Sequence, residues 1–338
     1  MLDTVACGTA FGAALAAAAV HQPYVIVSQL RLTNSHMLES FLAAAASMYP
    51  STRLFTAVVQ GTGYAAFPPR SSSSLGLLGR LDGNVVGGLL QGAGMALSGA
   101  CAGTVFAQNG AGIPSSFHAL GGAMVGGIVW TGFLRPALQR RRKQLAQPST
   151  PKLTVDRQLG VGRNTALLLL ETAFVAVVGV AAASSSTSTR TQGPVHPVAG
   201  GVLIGLAQLF SILLRKTMLG TSTSFEEFGD YFWWLAGGAR SPGRPSSYKN
   251  MLFAASLAFG SYLVSSRLPA SIATSSRVGA SSPARVALGG ALIAIGSRMA
   301  GGCTSGHGIS GISLMSISSF VTVAAMFAGG IGVTSTLG

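Results

Sequence analysis

Apolar residues along this chain fall into long blocks separated by short connections rich in serine, proline and glycine. Runs near 4–20, 36–60, 117–135, 165–183, 197–214, 249–264 and 316–337 approach the roughly 20 residues that a helix needs to cross a bilayer. Runs at 84–98, 102–112, 225–236 and 284–300 are too short, or too broken by glycine, for a full crossing. These predict half-helices that enter a membrane and turn back, a backbone tolerated at that depth only inside protein or beside a cavity. The connections 68–80, 184–194, 237–249 and 265–285 are built of turn formers, and none is long enough for a separate domain.

A second pattern overlies the first. Gly87, Gly88, Gly94, Gly99 and Cys101 of "GGLLQGAGMALSGAC" recur as Gly289, Gly290, Gly296, Gly301 and Cys303 of "GGALIAIGSRMAGGC", 202 residues later. "GTAFG" (8–12) and "GVLIG" (201–205) form a weaker echo in which the two glycines match. Such self-similarity predicts an internal duplication. The expected layout is one polytopic transport domain over 1–338, with a first repeat over 1–135, a basic linker over 136–164 and a second repeat over 165–338. An odd number of crossings per repeat would invert one half against the other. Duplicated halves that each carry an interrupted segment point to a transport site at the interruptions.

Composition narrows the class. Only 9% of the residues are charged and 49% are hydrophobic, against about 25% charged in soluble domains; the expectation is an integral protein of the plasma membrane, all-α. The net charge of +14 ordinarily points to nucleic acid. Here the cations lie between apolar blocks, most densely from Arg135 through "RRRK" (140–143) to Arg163. That placement reads as a cytoplasmic connection facing anionic lipid, and no nucleic-acid partner is expected. Cys7, Cys101 and Cys303 are too few and too scattered for a disulfide framework. The N-terminus lacks a signal-peptide pattern, so the first apolar run is expected to belong to the membrane domain. Glycine-rich loops of the nucleotide-binding kind are absent from the sequence.

The two breaks, "SGACAGT" (98–104) and "AGGCTSGHGIS" (300–310), carry the candidate chemistry. A helix restarting after each cysteine leaves N–H groups without intrahelical partners, which with the helix dipole favour an anion. Glycines such as Gly99, Gly302 and Gly306 let the backbone approach closely, and Thr104, Thr304 and Ser305 can donate hydrogen bonds. A polarisable thiol suits a sulfur atom better than a hard oxygen. Ala100 and His307 flank the cysteines and complete the candidate substrate-binding set with Cys7, Cys101 and Cys303. Three other readings stay open. Cys303 and His307 could share a metal, Cys and His could form a nucleophilic pair, or both breaks could simply pack. A metal site lacks further ligands nearby in sequence, and no cofactor is expected.

"LSGACAGT" (97–104) and "RMAGGCTSGHGISG" (298–311) resemble the paired signatures of the YeeE/YedE sulfur-transport family, and Phe11, Gly12, Pro23, Ile26 and Gln29 are similar to its N-terminal region. The resemblance implies an hourglass-like bundle of about nine spanning helices with short re-entrant ones. It also implies uptake of thiosulfate, not an enzymatic reaction, with cysteines at the centre passing the anion along. Cys101 and Cys303 match the signature cysteines, and Cys7 stands where a third is expected. Some relatives are tied to selenium, so another small sulfur or selenium species is the alternative substrate. A membrane thiol-redox or sulfurtransferase component is the alternative role. Membrane lipid and a cytoplasmic sulfurtransferase are the candidate partners.

Overall fold

Backbone polar groups inside a bilayer must be satisfied within the protein, which favours helices. Helix is the regular structure of the computed structural model among its described residues, 1–47, 68–77, 79–144, 154–184, 194–237, 245–267 and 282–337. The first half carries α1 (Leu2–Ala17), α2 (Pro23–Leu30), α3 (His36–Ala46), α4 (Asp82–Ser98), α5 (Thr104–Gly110) and α6 (Pro114–Val129). A π-helical turn (Trp130–Leu134) leads from α6 into α7 (Arg135–Gln144). Next come α8 (Val155–Leu159), α9 (Arg163–Ser184), α10 (Pro197–Arg215), α11 (Thr223–Ala236) and α12 (Lys249–Ser265). The chain closes with α13 (Pro283–Ala300), a second π-helical segment (Ser305–Gly311) and α14 (Ile317–Leu337).

Among the described residues four helices are long and apolar enough to cross a membrane: Pro114–Arg141, Arg163–Ala181, Pro197–Arg215 and Ile317–Thr336. A fifth is counted if α13 and the π-segment, which meet at 43°, form one broken span. α1 is apolar but has only 16 residues. Of the run at 36–60, α3 is the described part, and 48–67 lie outside the described residues. The stretch 284–300 lies in an 18-residue helix that counts as a span only together with the π-segment; Ser282 caps it by accepting from the Arg285 N–H, and Pro283 sits at its first position, where the missing N–H costs nothing. The basic stretch after 135 opens as helix, with Arg135 tied to Glu226 at 2.9 Å and Asp230 at 2.5 Å on α11.

The glycine ladder explains how helices with so few large side chains hold together. Gly87 of α4 lies against Gly296 and Ala300 of α13, and Gly94 lies against Gly289 and Ile293, so these helices run antiparallel with backbone on backbone. α4 also packs on α14 through Gly88 and Gly92, and α13 packs on α6 through Gly290, Gly122 and Gly126. α1 meets α12 through Gly8, Gly12 and Gly260. Close approach of this kind replaces the hydrophobic drive that lipid does not supply. A Cβ at Gly122 would sit 1.8 Å from the Ala287 carbonyl oxygen, so backbone itself would have to move. Gly122→Val is therefore expected to cost at least the about 1–3 kcal/mol typical of overpacking, read as a lower melting temperature and loss of the monodisperse peak in size exclusion. An unchanged melting temperature would contradict this packing.

Outside the bundle, Leu168, Leu169, Val175 and Val180 of α9 and Leu206, Phe210 and Leu213 of α10 are exposed, the face expected toward lipid. Two acids near apolar segments, Asp82 and Glu39, have structural duties. Asp82 accepts from the N–H groups of Leu75, Leu77 and Gly83, and Glu39 accepts from Ser35 Oγ at 2.6 Å.

Candidate functional site

α4 and α13 each end on a glycine in the left-handed region, Gly99 (φ 64°) and Gly301 (φ 83°). This cap stops a helix abruptly and suits glycine because a Cβ is strained there. After each, the chain turns inward. Gln108, fully buried, donates to the carbonyl of Gly99 at 2.7 Å and to that of His21 at 2.8 Å, joining the first break to the α1–α2 turn. In the second half Ser310 donates to Leu219 O at 3.2 Å and Gln208 Oε1 at 2.8 Å. That ties the segment after Cys303 to the α10–α11 turn, which begins at Lys216 in the left-handed region. These bonds pair backbone carbonyls of the buried turns, as irregular backbone at depth requires, while Gln108 Oε1 and Gln208 Nε2 stay buried without a partner.

The first cysteine is closed in on itself. Cys101 N donates to Thr104 Oγ1 at 2.7 Å, while Thr104 N and Oγ1 approach Cys101 Sγ at 3.4 and 3.3 Å. These contacts occupy the N–H groups expected to await an anion, and α5 has only seven residues. Gly99 and Ala100 lie in the same tight turn, with Ala100 fully buried.

Cys303 is placed differently. Its sulfur lies 3.3 Å from Ser305 Oγ and 3.6 Å from Thr221 Oγ1, with backbone N–H groups of Thr221 and Gly306 facing it. Thr221 faces the first break as well: a Cβ added to Gly103 would stand 3.6 Å from its hydroxyl. The two breaks therefore meet at Thr221, and Cys101 and Cys303 are near enough to interact electrostatically.

On its other side Cys303 borders a polar cavity of about 160 Å³. Gly302 and Gly306 line it too, together with Arg70, Arg215, Arg298, Asn250 and Thr223. The remaining residues of the expected set stand apart from it. Thr304 points toward Met326 Sδ (3.3 Å) and Met95 Sδ (3.8 Å), beside a separate apolar groove. His307 is fully buried between Ser319 Oγ (2.9 Å) and Ala300 O (3.3 Å). Cys7 sits within α1, its sulfur 3.8 Å from Phe210 O, linked to the cavity only through its neighbour Arg215. Among the described residues no three His, Cys, Asp or Glu side chains gather as metal ligands would.

The three arginines were not among the residues singled out from the sequence. Arg215 ends an apolar helix, Arg298 opens the second signature, and Arg70 lies in the loop after two prolines. Only the fold unites them.

The sequence profile of a family described as sulphur transport matches residues 7–332. This chain belongs to the sulphur transport family. The chain is also similar to a protein named "Probable transporter" from Xylella fastidiosa strain Temecula1, 31% identical over 146 residues. That match covers 42% of this chain and 94% of the relative. A protein of the same name from strain 9a5c is 30% identical over the same coverage. The chain is thus a membrane sulphur transporter by family, and both signature cysteines stand within the matched region.

Proposed function

We propose that this protein takes up thiosulfate through the point where the two breaks meet. One observation carries the reading: Cys303 lies between an arginine-lined cavity and Thr221, whose hydroxyl reaches toward the turn that holds Cys101. A passing dianion would exchange part of its hydration for thiol, hydroxyl and N–H donors, each contact weak enough to release. Cys101 and Cys303 hand the anion on, Cys7 serves the approach beside Arg215, and His307 supports the second break from behind.

The duplication belongs to the same proposal. Helices at equivalent places in the ladder, α4 and α13, run antiparallel, and so do α1 and α10, where Cys7 meets Phe210 while Ala18 meets Gly200. Helix pairs also have counterparts: α4 with α14 answers α13 with α6, and α1 with α12 answers α10 with α3. The relatives, shorter than half this chain, have about the length of one repeat. These facts support two inverted repeats, and the proposal sets them in an hourglass-like bundle with re-entrant segments in the plasma membrane, the basic stretch cytoplasmic.

Uptake of labelled thiosulfate into liposomes holding only this purified chain tests the reading. Accumulation competed by unlabelled thiosulfate is the expected result. Selective competition by a selenium analogue would move the substrate assignment, and no uptake of any such anion would end it.

A further inference from the structure

We propose that Arg70, Arg215 and Arg298 form an oxyanion-binding site on the cytoplasmic side of Cys303, a station where a small dianion dwells before release. The inference rests on the transport reading for its purpose, but its geometry stands alone.

Three guanidiniums line a single cavity of about 160 Å³, about ten times the 10–15 Å³ that admits one water on a comparable measure. Like charges gathered in a half-buried space repel one another. Among the described residues neither Arg70 nor Arg215 forms an ion pair with a carboxylate. Arg215 lies over the Phe253 ring at 4.4 Å. Arg298 is bonded to Glu226, yet its Nε is buried without a partner. Burial lowers the pKa of Arg70, and Arg298 adds to the lowering, while Cys303 works against it. A dianion in the cavity would relieve both penalties, and planar guanidiniums suit an oxyanion with two oxygens in reach.

The site is built into the fold. The backbone carbonyl of Arg70 accepts from Ser316 Oγ at 2.8 Å and Ser318 Oγ at 3.0 Å. Its guanidinium lies where a Cβ on Gly302 would be 3.2 Å away and one on Gly306 3.0 Å away. Two glycines of the second signature therefore make room for Arg70. The Glu226 that holds Arg298 also holds Arg135, where the basic stretch begins, which places the cavity at the basic end of the bundle. Glu226 is then the built-in competitor of the anion: it holds Arg298 when the site is empty and lets go in part when an oxyanion arrives. A sulfur oxyanion could set oxygens on the arginines and its terminal sulfur toward Cys303.

Sulfate, which does not alkylate or reduce, probes the site. In full-length protein carrying Cys7→Ala and Cys101→Ala, reaction of Cys303 with a maleimide is followed in neutral detergent as sulfate is added at constant ionic strength. Sulfate is expected to slow the reaction. Arg70→Gln should raise the half-protecting concentration about tenfold or more, and Glu226→Gln should lower it several-fold, a gain that misfolding does not produce. Unchanged protection in both variants, or no protection at all, would overturn the site. Protection lost when phosphatidylglycerol is added would overturn it too, in favour of a lipid headgroup as the occupant. Thiosulfate uptake by the unaltered protein is measured alongside. Uptake without arginine-dependent protection removes this site and leaves the transport reading; the reverse removes the transport reading and leaves the site.

Discussion

Thiosulfate uptake is expected to fall at least about tenfold in Cys303→Ala, with the melting temperature nearly unchanged. The side chain is fully buried and small, so truncation removes one heavy atom and leaves little void. What disappears is the sulfur that meets Thr221, Ser305 and the N–H groups of Thr221 and Gly306. A hydrogen bond to a charged group is worth about 1.5–3 kcal/mol, and about 1.4 kcal/mol is a factor of ten. Cys303→Ser should fall less, because a hydroxyl keeps a donor but shortens its reach and loses polarisability. Uptake at the normal rate in the alanine variant would remove Cys303 from the pathway.

The second large effect is on stability. Asn84 is fully buried, and its amide donates to Ala300 O at 3.0 Å, Thr322 Oγ1 at 2.9 Å and Ser318 O at 3.4 Å. Its carbonyl accepts from Ser73 N at 2.7 Å. One side chain thus joins α4, the end of α13, α14 and the loop that bears Arg70. Asn84→Leu keeps the bulk and strands several buried polar groups, each costing about 1–3 kcal/mol. The expected outcome is protein that fails to purify as a single species, or one melting far below the parent in a thermal unfolding experiment. A melting temperature within a few degrees of the parent would show that water or other groups replace the amide.

Much of the fold was legible because lipid imposes long apolar runs and the ladder repeats at a fixed offset. The left-handed glycines that end α4 and α13 were visible as Gly99 and Gly301 before the cysteines, and the break after each followed. The site was legible only in part. Cys101 and Cys303 announce themselves by recurrence, whereas Arg70, Arg215 and Arg298 come from three distant segments, with nothing local to join them. Thr304 looked like a donor for substrate, yet the turn after Cys303 aims it at Met95 and Met326. Asp82, near an apolar segment, could suggest ion coupling; its carboxylate instead ties up the loop at 75–77. Side-chain direction within a turn depends on backbone angles that residue type alone does not specify.

The glycine seam between α4 and α13 bears on how such a protein can move. With main chain so close to main chain, the side chains along that seam, such as Ile293, Ala300, Ser98 and Leu90, are held against opposing glycines with little room to re-form contacts in a new register. Advancing one helix by a single residue, about 1.5 Å, would press neighbouring Cβ atoms into the opposite backbone. The central pair is accordingly an axle without bearings, fixed while the protein works. Any opening and closing then falls to the parts hung from it: the seven-residue α5 (Thr104–Gly110), the π-helical Ser305–Gly311 segment, and the hydroxyl of Thr221 between them. Such movement is on the scale of a turnstile rather than a rocking half-molecule.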